Sequence, residues 1–204
     1  MSYVYIKNKI QERELFKKIK EEIGERRGAH DLSHVLRVLK YSYIINKTEK
    51  ANLRIVEAMV LLHDVVRFED SHEKKSMRFS LDKAKEMLTE LNYKKKEIER
   101  ILDGISSHSL HSKYKKKPKT KEAKILFDAD KIDAAGYCGI ARWLFYCSNM
   151  NRTIERAAKL YLQELHTVRA ENKDIAYTKT GRKLIGNRIR ISERFMTELL
   201  RDIL

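Results

Sequence analysis

Apolar residues recur along this chain at intervals of three and four, the spacing that lines one face of a helix. Over residues 8–25, Ile10, Leu15, Phe16, Ile19 and Ile23 stand among Lys and Glu and predict a one-sided amphipathic helix, ended by Gly24 and Gly28. Asp31 is placed to cap a helix from Leu32 to about Thr48, whose apolar positions include Val35, Leu36, Val38, Leu39, Ile44 and Ile45. Asn52 is placed to cap the next, Leu53 to about Val66, which is apolar nearly all round its second half and so belongs in the middle of a bundle. Arg67 to Glu73 reads as an irregular connection. Residues 75–92 and 94–107 predict two more helices, followed by a Lys-dense exposed loop, 109–120, that holds the sole proline, Pro118. Helical patterning resumes from Lys121 through Asp133, softens at Ala134-Ala135-Gly136, continues from Tyr137 to Cys147, and returns over 151–168 and 179–203.

The expected architecture is all-α: a single-domain helical bundle of eight or nine helices spanning 1–204. Its motif-bearing core covers about 28–142, with C-terminal helices 151–204 packed on it. A chain of 204 residues is long enough for a substantial core, and seven Gly with one Pro favour long helices over many turns. No run of about 18 apolar residues predicts a membrane span, and the N-terminus lacks a secretory signal pattern. Cys138 and Cys147 show no metal-type spacing and read as free thiols in a reducing cytoplasm, the expected location. The formal charge of +15 points to a polyanionic partner without choosing among nucleic acid, a membrane surface and small phosphorylated molecules.

Candidate chemistry begins with His63-Asp64, set in the apolar run from Ala58 to Val66. Burying an imidazole and a carboxylate costs several kcal/mol each unless something compensates for the lost water. A divalent cation compensates well, since both groups ligate it. His34, on an earlier apolar stripe, and Asp130, in Phe127-Asp-Ala-Asp-Lys-Ile-Asp133, complete a set of two imidazoles and two carboxylates. That donor set suits one divalent ion (Mn, Fe, Co, Ni, Zn or Mg) and leaves one or two octahedral positions for water or substrate. Successive helix residues point about 100° apart, so His63 and Asp64 must converge on an ion lying beside the helix.

The order His…His-Asp…Asp, carried by Asp31-Leu-Ser-His34, Leu61-Leu-His-Asp-Val65 and Asp128-Ala-Asp-Lys-Ile-Asp133, resembles the HD-domain superfamily of metal-dependent phosphohydrolases. The stretch Glu122 to Gly136, followed by Gly139-Ile-Ala-Arg142, resembles a compact bacterial and archaeal branch of that group. The similarity runs from about Gly28 to Arg142 and more loosely to the end. It implies metal binding by His34, His63, Asp64 and Asp130 near the centre of an all-α bundle. The implied activity is hydrolysis of a phosphoester or phosphoanhydride bond of a small nucleotide-like substrate by metal-activated water, as in a nucleotide phosphatase or pyrophosphohydrolase.

Asp64 is then both a ligand and an orienter of the nucleophile. His108 matches a position expected to touch the phosphate or donate a proton; the alternative is a histidine stabilised by a helix C-terminus. Lys131 is a candidate for both catalysis and phosphate binding, and Arg67 and His72, after the His-Asp segment, are candidates for substrate binding. A single ion is expected, because His72, His108 and His111 do not match the extra ligand motifs of binuclear members; a second ion bridged through Asp64 stays open. Asp133 reads as support for a ligand and Asp128 as an N-terminal or surface residue, while His30 and His166 receive no role. The competing function is a basic regulatory domain that binds nucleotide or nucleic acid around a structural metal, without turnover. Against that, no established nucleic-acid module is present. No membrane partner is expected, and the sequence does not fix the oligomeric state.

Overall fold

The computed structural model describes residues 14–24, 29–66, 73–108, 116–171 and 175–203. Among them are nine helices and no strand: α1 Glu14–Ile23, α2 Leu32–Glu49, α3 Leu53–Leu62, α4 Glu73–Glu90, α5 Lys95–Ser106, α6 Lys121–Asp133, α7 Gly136–Asn149, α8 Ile154–Glu171 and α9 Lys179–Ile203. Local chemistry sets their starts. The Asp31 carboxylate accepts the His34 N–H at 2.9 Å, the Asn52 carbonyl oxygen accepts the Arg54 N–H at 3.1 Å, and the Thr120 hydroxyl accepts the Ala123 N–H at 3.2 Å. Lys50 closes α2 in a left-handed conformation with φ 54°, its N–H returned to the Asn46 carbonyl.

Every residue of α3 from Ile55 to Leu62 is buried. A helix with no solvated face needs neighbours all round, and α1, α2, α5 and α6 pack against it. The second central helix, α6, touches α2, α3, α5, α7 and α9, while α7, α8 and α9 pack on one another. The first turn of α2 thereby meets the last turns of α3, α5 and α6 at one pole of the molecule. No helix among the described residues is long and apolar enough to cross a membrane.

The bounds expected from sequence shift in three informative places. Helix α3 stops at Leu62 rather than near Val66. The apolar pattern runs on through Val65 and Val66, but the His63 ring Nδ1 bonds the Val60 carbonyl at 2.7 Å, and the Ser80 hydroxyl of α4 takes both the N–H (3.1 Å) and the carbonyl (2.6 Å) of Val66. Those groups are therefore satisfied outside the helical ladder. Pro118, expected on an exposed loop, is buried, although Lys116 and Lys117 beside it are exposed. Residues 8–13 of the expected first helix, 67–72 of the expected connection and 109–115 of the Lys-dense loop lie outside the described residues.

The third correction is Asp128, which is fully buried rather than on the surface. Its carboxylate accepts the backbone N–H groups of Tyr177 and Thr178, both at 2.8 Å, and the Thr178 hydroxyl at 2.6 Å. The Thr178 hydroxyl oxygen in turn accepts the Gly181 N–H at 2.9 Å in the first turn of α9. This clasp ties the middle of α6 to the start of the last helix.

Gly181 leaves no room for a side chain, since a Cβ there would lie 2.7 Å from Asp128 Cγ and 2.8 Å from Thr178 Oγ1, both held by hydrogen bonds. Gly181→Ala is expected to cost about 1–3 kcal/mol through overpacking. Gly186, farther along α9, would meet nothing within 4 Å, so Gly186→Ala is expected to be neutral or to gain up to about 1 kcal/mol of helix propensity. Thermal melts of the two variants check the contrast; equal melting temperatures would refute it.

Candidate metal centre

His34 sits in the first turn of α2, His63 is the C-cap of α3, Asp64 follows it, and Asp130 lies in the last turn of α6. All four converge. His34 Nε2 is 3.1 Å from His63 Nε2, 3.7 Å from Asp64 Oδ2 and 3.7 Å from Asp130 Oδ1, and His63 Nε2 is 3.6 Å from Asp64 Oδ2. With metal–ligand bonds of about 2.1 Å, neighbouring ligand atoms stand roughly 3.0–3.4 Å apart. The observed separations fall close to that range. Helix α3 ends at Leu62, but His63 keeps right-handed helical dihedrals (φ −61°, ψ −31°), so the His63 and Asp64 side chains meet at a point beside the helix end, as expected for helical neighbours.

The histidine tautomers give the chemical test of fit. His34 Nδ1 faces Asp133 Oδ2 at 2.8 Å and His63 Nδ1 faces the Val60 carbonyl at 2.7 Å. Both partners only accept, so each Nδ1 carries the proton and each neutral ring turns its Nε2 lone pair inward. Two lone pairs at 3.1 Å on buried rings need a cation between them. Burial pushes His63 down to about 4. Burial and Arg142 also push His34 down, but its bonds to Asp133 and Asp64 outweigh them and its net shift is upward. Of the two rings, His34 is therefore the one that more readily takes up a proton.

The carboxylates are held ionised. Burial works against the Asp64 charge, yet His30 and His63 keep its carboxyl well below the usual range. Burial likewise opposes Asp130, which Lys131 and His34 pull down. The helix ends work the other way: the C-termini of α3, α5 and α6 present the negative ends of three macrodipoles here, which oppose the carboxylate charges and add to the demand for a cation.

Asp133 supports the centre as expected, and more extensively. Its two oxygens receive the His34 ring, Arg37 Nε (2.7 Å), Arg37 Nη2 (3.2 Å) and Arg142 Nη1 (2.7 Å). Burial opposes its charge, but His34 and Arg37 hold its carboxyl at about 2. Such partners fix the orientation and basicity of a ligating imidazole.

His108, just beyond α5, is buried beside His63 with ring centroids 5.3 Å apart, and its Nε2 is 4.0 Å from Asp64 Oδ1. Its Nδ1 is engaged with the Ile105 carbonyl at 2.6 Å, so its Nε2 also points an acceptor towards the site. Lys131 Nζ pairs with Asp130 Oδ2 at 3.0 Å. Arg67, His72 and His111 lie outside the described residues.

The reading from sequence missed His30. Its Nδ1 is 2.8 Å from Asp64 Oδ2, and His30, His34 and Asp64 offer ligand atoms within 4.8 Å of one another, as do His34, His63 and Asp130. A histidine immediately before the Asp31 N-cap of the His34 helix was the available signal. His166, by contrast, is exposed on α8.

A family model described as the HD domain matches residues 31–135. The Bacillus subtilis (strain 168) protein YpgQ is 30% identical over 181 residues, covering 86% of this chain and 85% of that protein. Its crystal structure in complex with ADP has the same fold, with a TM-score of 0.72 at 24% identity over 92% of this chain and 97% of that one. A Lactobacillus plantarum structure matches with a TM-score of 0.75 at 20% identity, covering 92% and 94% of the two chains. An HD-superfamily hydrolase from Bacillus thuringiensis matches with a TM-score of 0.70 at 24% identity over 97% of each.

Metal uptake competes with a proton at His34, because a divalent ion needs its Nε2 lone pair. Affinity is expected to fall as pH drops through the raised His34 value and to be strongest above it. Calorimetric titrations with Mn(II) in buffers of different ionisation enthalpy should show proton release on binding. A pH-independent affinity with buffer-independent heat contradicts the assignment.

Proposed function

Because this chain belongs to the HD-domain family, we propose that it is a metal-dependent phosphohydrolase acting on a small nucleotide-like substrate. The observation that carries this reading is that the buried donors are not sealed in. His34 and His63 are inaccessible, but the side chains of Asp130, Lys131 and His30 are 13%, 16% and 29% exposed, so the cluster opens on one side. A structural site would be closed there; a hydrolytic one needs the opening. Support for a nucleotide comes from the net charge of +15, which draws polyanions, and from the structure of YpgQ with ADP.

His34, His63, Asp64 and Asp130 would hold one divalent ion. When bound, that ion supplies a Lewis acid that polarises a phosphoryl oxygen and acidifies water. The remaining work falls to the chain. Lys131, at the opening, offers an ammonium to a phosphate oxygen, where negative charge grows as the phosphorus–oxygen bond is attacked. Asp64 has Oδ1 on the side of His108, so the two can position a water by hydrogen bonds. Phosphoester and phosphoanhydride bonds both suit this arrangement, and the expected products are a nucleoside or nucleoside monophosphate with phosphate or diphosphate. The reducing cytoplasm fits the free thiols at Cys138 and Cys147.

A panel of nucleoside mono-, di- and triphosphates with Mn, Co, Ni, Zn or Mg, followed by product analysis, tests this proposal. Turnover is expected only with metal, and Asp64→Ala should abolish it while the circular dichroism of the helices is unchanged. Tight nucleotide binding without turnover under every metal would favour the regulatory reading. Binding governed by nucleic acid and steeply weakened by salt would favour a nucleic-acid partner.

A further inference from the structure

We propose that His30 is a positioning residue of the metal centre, holding the Asp64 carboxylate in its ligating orientation. The inference rests on the reading of His34, His63, Asp64 and Asp130 as the metal ligands. His30 reaches Asp64 Oδ2, the same oxygen that faces His34 Nε2 and His63 Nε2, through its Nδ1 at 2.8 Å. A carboxylate oxygen has two lone pairs, so one can accept the His30 N–H while the other faces the ion. Removing that donor frees Asp64 to rotate about its side-chain bonds.

The backbone on both sides of His30 is fixed. The Ala29 carbonyl accepts Arg142 Nε at 2.6 Å, and Asp31 caps α2 through the His34 N–H. Arg142 also binds Asp133 Oδ2 at 2.7 Å, the oxygen that holds His34 Nδ1. One guanidinium therefore sets both the partner of the His34 ligand and the segment presenting His30 to the Asp64 ligand. The His30 ring meets His34 edge to face, with centroids 5.4 Å apart, which further restricts its orientation. His30 and Asp64 each have additional interactions in the structure, so this role does not require that His30 serve Asp64 alone.

Co(II) titration of the full chain, followed by calorimetry and by the visible absorption of the bound ion, tests the proposal without reference to turnover. His30→Ala is expected to raise the Co(II) dissociation constant about 10- to 100-fold, as loss of a ligand's hydrogen-bonding partner typically does. It should also alter the Co(II) spectrum, a change that a loss of folding stability alone would not produce. His30→Asn places an amide N–H where Nδ1 stood and should return both affinity and spectrum close to wild type. Wild-type binding by His30→Ala, or equal losses in the Ala and Asn variants, overturns the positioning role while the metal centre stands. Failure of the wild-type chain to bind Co(II) overturns the metal reading and this inference with it.

Discussion

The meeting of two buried imidazole lone pairs is the constraint on which the rest of this molecule turns. His34 and His63 point Nε2 at Nε2 across 3.1 Å because an acceptor behind each ring claims its other nitrogen. Left neutral, the pair repels; supplied with a cation, it becomes the strongest polar feature of the core. Asp64, Asp130 and three helix C-termini all contribute negative potential at that point. Evolution has stored a deficit of positive charge in the interior, and stored deficits of this kind are a signature of functional sites rather than of packing.

Holding that arrangement takes much of the polar interior. Asp133 is loaded with one imidazole and two guanidinium groups, which compensates a buried carboxylate and makes the ligand behind it rigid. A network of this kind contributes little net stability against an apolar replacement, but a partial loss is costly because it strands charge. Antiparallel passage of α2 against α3, α5 and α6 supplies the geometry, since only that topology brings a helix start to three helix ends. The core of Ile, Leu and Val around α3 then holds the pole in place through close packing.

Helices were the legible part of the sequence, because a 3.6-residue apolar period reports burial directly, and the capping residues Asp31 and Asn52 act within the first turn; the Thr120 cap, hidden at the end of a Lys-rich loop, was not read. The metal ligands were legible as chemistry out of place: charged or polar groups where the pattern demands apolar ones. What escaped was non-local. The end of α3 is enforced by Ser80 from another helix, and nothing in Val65-Val66 announces it. His30 stands outside any periodic segment, so no face could be assigned to it. Asp128 looked like a surface acid because its partners, Tyr177 and Thr178, lie about fifty residues away.

The Asp128 clasp also has a consequence for how the chain matures. Translation delivers α2, α3 and α6 well before the two backbone amides and one hydroxyl that neutralise this carboxylate. Before that part of the chain is made, the segment carrying Asp130 has on its inner side an acid whose partners are missing, and burying it so would cost several kcal/mol. The metal pole is thus encoded early in the chain and braced from its far end.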